Sequence, residues 1–270
     1  MNKDDNNIKK RFSRRQFIKW IGALLFGSAI AGGVGVNLLR DKVAALNEED
    51  KDGNKIERQW VMVFDLRLCD GCLRCSEACV KEHYLHKDQS WIKVFETTDH
   101  LGTKVQWPKP CMQCENAPCV RVCPVHATYK TDDGVTLINP DKCIGCRMCM
   151  AACPYNARTF NWDDPPPAPA TFTKPSPEYP VPQIKGTVGK CEFCVHNIRF
   201  GKLPECVKAC VMEVIFVGDR ISDLATNGIK TVKLSDFIVD NDAFRLKEEL
   251  NTEPRVYYIP GHGQDYTYDD

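Results

Sequence analysis

The sequence has no excess of charge of either sign, since 36 Lys and Arg residues balance 36 Asp and Glu residues over 270 positions. A nucleic-acid-binding face is normally basic, so this balance argues against a nucleic-acid partner. Charged residues make up 27% of the chain and hydrophobic residues 43%, which argues against wholesale disorder and against many membrane spans. The length suits one large domain or two small ones.

The chain also lacks the residue patterns of common catalytic centres. No paired general acid and base and no activated nucleophile is evident in the order of its residues. No Cys-x-x-Cys pair is followed by His, which excludes attachment of a c-type haem. We therefore predict that the protein is not an enzyme by itself.

Long apolar runs are scarce, and the one at residues 20–39 lies in a basic amino-terminal segment. Residues 1–45 carry nine Lys and Arg against three Asp, a local net charge of plus six. The apolar run follows Ser-Arg-Arg-Gln-Phe-Ile-Lys at residues 13–19, and this order is typical of a twin-arginine export signal. Five glycines in the run disfavour the alternative of a transmembrane anchor. We expect export by the twin-arginine machinery to the periplasm or the outer face of the cytoplasmic membrane, with attachment through a partner.

Cysteine is the residue in excess, with sixteen copies in four runs. Runs one and three have the spacing of bacterial ferredoxins, in which three close thiolates wrap one [4Fe-4S] cube and the fourth ligates a neighbouring cluster. The spacing therefore predicts that the runs interlock in pairs. The four runs are Cys69, Cys72, Cys75 and Cys79; Cys111, Cys114, Cys119 and Cys123; Cys143, Cys146, Cys149 and Cys153; and Cys191, Cys194, Cys206 and Cys210.

Two other uses of the cysteines fit the pattern less well. Exported proteins often carry disulfides, but many thiols in such short runs are too close together or badly directed to pair. Structural zinc sites normally join two Cys-x-x-Cys pairs across a spacer, whereas two of these runs place four cysteines within eleven residues. Iron–sulfur clusters account for all sixteen.

The segments between the runs predict an α+β fold of two interlocked bacterial ferredoxin-like dicluster modules with long loops and insertions. The turn at residues 132–134 predicts a hairpin, and β-prone segments predict a strand near each cluster loop. Asn241 or Asp242 is placed to cap a helix that runs through Leu250. The predicted strands are residues 61–66, 128–130, 135–138, 158–161, 214–217 and 256–259.

The pattern divides the chain into an export signal, a core, a loop and an extension. The four-cluster core is predicted at residues 57–162 and 190–220, after the export signal at residues 1–45. Between its two parts, residues 163–189 contain eight prolines and are predicted to form an extended surface loop, either a passive connector or a docking element. Residues 221–270 are predicted to be a C-terminal docking extension.

The residues around the runs resemble those of a known family over roughly residues 57–260. The resemblance rests on the order of the runs, on Cys-Pro at the ends of runs two and three, and on three phrases. These phrases are Cys-Met-Gln-Cys-Glu-Asn-Ala-Pro-Cys at 111–119, Cys-Glu-Phe-Cys-Val-His at 191–196 and Pro-Arg-Val-Tyr-Tyr at 254–258. They resemble the four-cluster iron–sulfur subunits of the molybdopterin oxidoreductase family. Relatives there serve tetrathionate, polysulfide and dimethyl sulfoxide reductases and formate-dependent nitrite reduction.

The resemblance implies how the cysteines are shared among four [4Fe-4S] clusters, because in the family the outer runs pair and the inner runs pair. Some relatives have an aromatic residue in place of the second cysteine of run three and hold a [3Fe-4S] centre there, but Cys146 is present here. His126 and His196 lie beside cluster loops and are predicted to pack or to hydrogen bond. The implied ligand sets are set 1, Cys69, Cys72, Cys75 and Cys210; set 2, Cys79, Cys191, Cys194 and Cys206; set 3, Cys111, Cys114, Cys119 and Cys153; and set 4, Cys123, Cys143, Cys146 and Cys149.

The resemblance also implies a function. It implies a relay of single electrons through four clusters, between a membrane subunit that handles quinone or quinol and a catalytic subunit that contains molybdopterin. Two alternatives stay open: a stand-alone polyferredoxin, and an iron–sulfur subunit of a hydrogenase or another redox complex without molybdenum.

Overall fold

The computed structural model describes residues 57–98, 102–172 and 174–261, so the predicted export signal at residues 1–45 lies outside the described residues. Among the helices of this described part, none combines the length and the apolar character needed to cross a bilayer.

A five-stranded mixed sheet supports the cysteine runs, with strand order β10-β9-β8-β1-β11. Its central strand β1 is an apolar segment that is buried along nearly its whole length, as expected of an interior strand. It pairs in parallel with β11 and antiparallel with β8, which brings together residues far apart in the sequence. The strands are β1 (Trp60–Asp65), β8 (Ile215–Asp219), β9 (Leu224–Thr226), β10 (Thr231–Lys233) and β11 (Val256–Ile259). The predicted strands at 61–66, 214–217 and 256–259 are confirmed within one or two residues.

The two faces of β1 enter two different hydrophobic cores. Successive side chains of a strand point to opposite sides of the sheet. Met62 and Phe64 therefore pack into the large core that also contains cysteines of all four runs. Val61 and Val63 pack on the other side into a smaller core with Leu234. The sheet thus separates the cysteine-rich core from a smaller core built around Leu234.

Three two-stranded antiparallel sheets lie among the cysteine runs. The hairpin predicted around residues 132–134 is confirmed, with Thr128 opposite Ile138. The strand predicted at 158–161 is also confirmed, but its partner follows the proline-rich segment, and none of the described residues between these two strands forms a helix or strand. These sheets pair β2 (Lys93–Thr98) with β3 (Lys104–Lys109), β4 (Thr128–Lys130) with β5 (Thr136–Ile138), and β6 (Arg158–Phe160) with β7 (Val188–Lys190).

The helices are short, and five of the six described ones contain or directly follow a cysteine. The longest has ten residues and three others that contain a cysteine have four, whereas isolated helices below about 12 residues are marginal in water. Their stability must come from tertiary contacts. The helices are α1 (Arg74–His83), α2 (Pro118–Arg121), α3 (Met148–Ala151), α4 (Val195–Ile198), α5 (Glu205–Lys208) and α6 (Leu234–Val239), with single 3₁₀ turns at Leu66–Leu68, Lys87–Gln89 and Glu248–Leu250.

The helix predicted from Asn241 or Asp242 through Leu250 is wrong. Phe244 instead forms a bridge with Tyr258 of β11, in which each backbone N–H donates to the other residue's carbonyl oxygen. Asp242 has a φ of 49°, which lies outside the right-handed helical region. Pairing with a distant strand therefore overrides the local capping signal.

Candidate metal centres

None of the sixteen cysteines forms a disulfide in this structure. Six of them are buried and eight are partly buried. Only Cys72 and Cys146 are exposed; Cys72 belongs to set 1 and Cys146 to set 4. Sets 1 and 4 thus each reach the protein surface through one exposed cysteine, set 3 is partly buried, and set 2 is the most deeply buried.

The cysteines of set 1 line one cavity. Three come from the loop and first turn at the start of α1 and the fourth, Cys210, follows α5. Gly71 adopts a φ of 74°, which the tight loop between the first cysteines requires and which glycine adopts without strain. The backbone N–H of Val214 donates to the Cys210 Sγ at 3.3 Å, as expected for an electron-rich sulfur. Apolar side chains, among them Val94 and Ile215, form the rest of the wall.

The cysteines of set 4 line a second cavity. Cys143, Cys146 and Cys149 come from the loop before α3, and Cys123 lies just beyond α2. Burial raises the pKa of Cys123, but hydrogen bonds from backbone N–H groups that follow it, at residues 125, 127 and 128, lower the pKa below the usual range of a thiol. These donors favour the thiolate, which is the form that binds metal.

The cysteines of set 2 converge in the interior. Burial is the main cause that raises the pKa of Cys194 well above its ordinary value, and the neighbouring Cys206, Cys191 and Cys79 raise it further. Burial likewise raises the pKa of Cys191 to about 12, again with Cys79 as a neighbour. Four thiols that oppose one another's ionisation form an unfavourable group by themselves. Bound metal cations remove this conflict, because a coordinated thiol is deprotonated outright.

Set 3 shows the same arrangement. Burial raises the pKa of Cys114 to about 12, and Cys111, Cys119 and Cys153 contribute as neighbours. The structure therefore brings together the four members of every set, and each set draws on two runs. Donors of this type and number suit soft, thiolate-bound iron.

Electrostatic influence between thiols of different sets indicates that the sets lie in a row. Burial raises the pKa of Cys206, and Cys75 of set 1 is one of the thiols that add to the effect. The pKa of Cys191 in set 2 is raised by burial and further by the nearby Cys111 of set 3. The pKa of Cys149 in set 4 is likewise raised by burial and further by Cys119 of set 3. These neighbouring pairs give the order set 1, set 2, set 3, set 4, with the exposed cysteines in the two end sets.

Sequence reasoning missed a group of buried polar side chains around set 2. The Nε2 of His83 lies 3.6 Å from the Cys194 Sγ, and its Nδ1 lies 3.5 Å from Oε1 of the buried Glu192. Burial lowers the pKa of His83 to about 3 and raises the pKa of Glu192 well above its usual range. Burial therefore disfavours the charged form of both groups. Nothing in the local sequence marked His83, which lies on a helix among polar residues.

The two histidines singled out from the sequence differ in their surroundings. The Nε2 of His196 lies 2.9 Å from the Glu82 Oε1, and its ring lies 4.3 Å from the ring of Tyr179. The predicted hydrogen-bonding and packing role of His196 is confirmed. His126 is exposed at the turn after Cys123, with a φ of 50°.

Comparisons with known proteins agree with this arrangement. Residues 103–166, which contain runs two and three, match the family model of a 4Fe-4S dicluster domain. The chain is 37% identical to a selenate reductase subunit of Mesobacillus selenatarsenatis, over 93% of this chain and 98% of that protein. It is 35% identical to the arsenate respiratory reductase iron-sulfur subunit of Shewanella sp., over 77% of this chain and 98% of the relative. It is 30% identical to a tetrathionate reductase subunit of Salmonella typhimurium, over 92% of this chain and 88% of the relative.

Proposed function

Since the chain belongs to the family of iron–sulfur electron-transfer subunits of reductase complexes, we propose that it passes single electrons between a molybdopterin-containing catalytic subunit and a membrane subunit that handles quinone or quinol. The protein is an electron-transfer component of its complex and not the catalytic subunit. Its cofactors are four [4Fe-4S] clusters, and each stores or releases one electron when bound. The observation that carries the proposal is the row of four cysteine sets whose ends are exposed.

We assign one cluster to each set. The assignment makes the fold two interlocked ferredoxin-type modules, one built from runs one and four and the other from runs two and three. It is supported by the two cavities lined by sets 1 and 4 and by the mutual proximity of the thiols in sets 2 and 3. The protein's own part is to supply thiolates, to donate backbone N–H groups to sulfur and to exclude water from the interior sets.

Exposed apolar side chains surround both ends of the row. Leu73 and Val211 lie beside the exposed Cys72 and the Cys210 end of set 1, and Ile144 and Met148 flank Cys146 of set 4. Apolar surface next to an exposed redox site is a natural contact for a partner protein. We propose that each of these two apolar surfaces contacts one of the two partner subunits, because electrons must enter at one end of the row and leave at the other.

The position of Gly145 tests the assignment of set 4. Gly145 has a φ of 67° in the loop between Cys143 and Cys146, and a Cβ there would overlap the carbonyl oxygen of Gly186. We expect Gly145→Ala to displace this loop and to lower the iron content of the purified protein from about sixteen to about twelve atoms per chain, because one cube holds four.

Gly186→Ala provides the matched control. Gly186 also has a positive φ, of 82°, but a Cβ there meets open space. This variant should keep its full iron content although its backbone is strained. An unchanged iron content in Gly145→Ala, or an equal loss in both variants, would contradict the assignment of set 4 to a cluster.

We further propose that the protein works at the outer face of the cytoplasmic membrane after export by the twin-arginine route. The support is the order of the basic, twin-arginine and apolar segments within residues 1–45. Attachment to the membrane would come from the partner subunit.

Isolation of the native assembly tests the proposed function. After extraction in a mild detergent, we expect the chain to purify with a molybdenum- or tungsten-containing catalytic subunit and an integral membrane subunit, and to be digested by protease added to spheroplasts. A soluble monomer without partners would favour a polyferredoxin. A complex that contains nickel but neither molybdenum nor tungsten would favour a hydrogenase.

A further inference from the structure

Arg158 is a buried guanidinium group between two of the cysteine sets. It begins β6 and is 5% exposed. Its Nη1 donates to the Thr128 Oγ1 at 3.3 Å, whereas its Nη2 has no hydrogen-bond partner among the described residues. The thiols of Cys119 of set 3 and Cys149 of set 4 lie close to the guanidinium, and Thr128 lines the set 4 cavity together with Cys149.

The negative charge around Arg158 comes from sulfur. Within the described part of the chain, no Asp or Glu lies within ion-pair distance of its guanidinium. Burial lowers the pKa of Arg158, but Cys119, Cys149 and Cys111 together outweigh burial and raise it. A buried, permanently charged group carries a large free-energy cost unless an opposite charge compensates it. Thiolates bound to iron supply that charge, since a cube with four thiolates has a net charge of about minus two.

A second buried cation lies directly opposite on the neighbouring strand. Lys190 of β7 is the register partner of Arg158 and is 3% exposed. Its Nζ donates to the carbonyl oxygen of Cys191, a member of set 2, at 2.9 Å. Like charges directly opposite each other on a sheet are destabilising, so this pair requires negative charge nearby. Burial raises the pKa of Glu192 most strongly, but its carboxyl group lies close enough to Lys190 for the lysine to lower that pKa. The β6–β7 strand pair therefore concentrates positive charge beside sets 2, 3 and 4.

We propose that Arg158 and Lys190 raise the reduction potentials of the clusters beside them, Arg158 at sets 3 and 4 and Lys190 at set 2. The proposal rests on the assignment of clusters to the sets. Reduction adds one electron and no proton or bond, so the local charge becomes more negative by one unit. A fixed cation in a dry interior stabilises this reduced state more than the oxidised state. Both residues are positioning and tuning residues, and neither is a ligand.

Redox titration of the purified, cluster-loaded protein followed by electron paramagnetic resonance tests the proposal. In Arg158→Met, the equilibrium constant for reduction of two centres should fall at least about tenfold, which for a one-electron couple is ~59 mV to lower potential. Arg158→Lys keeps the charge, so the reduction potentials of this variant should lie close to those of the wild-type protein. Lys230→Met removes an exposed charge in the turn between β9 and β10 and should leave every potential unchanged.

Iron content separates this proposal from the assignment on which it rests. Full iron content with unshifted potentials in Arg158→Met would overturn the tuning role and leave the four-cluster assignment intact. If Arg158→Met binds less iron, Lys190→Met is the second measurement, with the set 2 centre expected to shift to lower potential. Unshifted potentials in that variant, or loss of iron in both, would overturn the proposal. A wild-type chain that never holds more than about eight iron atoms would instead overturn the four-cluster assignment.

Discussion

Replacing Cys206 by serine is expected to stop electron transfer through the chain. Cys206 is buried on α5 in set 2, which is second in the row of four. Loss of this cysteine as an iron ligand therefore interrupts the relay in the interior and not at an exposed end. Serine is a poorer ligand than thiolate for soft iron sites. We expect iron to fall from about sixteen to about twelve atoms per chain or fewer, and dye-driven turnover of the isolated complex to fall to background.

Two variants make this result specific. Lys208→Ser changes the same helix and removes an ion pair with Glu205 on a partly exposed surface, which is worth about 1 kcal/mol at most, so iron and turnover should stay normal. Cys146→Ser removes an exposed cysteine of set 4 and should also lower iron to about twelve atoms per chain, without disturbing the interior. A Cys206→Ser protein with full iron and normal turnover would show that set 2 is not part of the relay.

Removing the iron is expected to unfold the protein. Buried cysteines, among them Cys75 and Cys206, belong to the same core as Phe64 and Tyr258, so the clusters lie where a hydrophobic core would otherwise be completed. Several helices that contain cysteines are a single turn long and cannot persist alone. Metal binding at small structural sites contributes about 10–16 kcal/mol, as much as the whole stability of a typical domain at about 5–15 kcal/mol.

Thermal unfolding followed by circular dichroism measures this effect. The iron-free chain, prepared anaerobically with an oxidant and a chelator and kept with a thiol reductant, should show no cooperative transition. The chelator without the oxidant leaves the clusters in place and should leave the transition unchanged. An iron-free chain that melts cooperatively at the temperature of the loaded protein would show that the sheet is stable without clusters.

Local features of the fold were predictable from local sequence. The hairpin around residues 132–134 follows from its turn, because turn chemistry and the flanking strands act over a few residues. The helix predicted to end at Leu250 failed for the opposite reason. Phe244 pairs with Tyr258 of β11, which itself lies beside β1 nearly 200 residues earlier in the chain, and no local pattern records such a partnership.

The sequence by itself determined the chemistry of this protein, because the spacing of cysteines within a run decides how many thiolates one short loop can direct at one cluster. It also indicated the family, through phrases that surround those cysteines. Only the tertiary structure decided which set lies beside which, that Cys72 and Cys146 are the exposed ends, and that Arg158 and Lys190 are buried opposite each other. These properties depend on contacts between segments that are distant in the sequence, and burial and electrostatic environment arise only when those segments pack together.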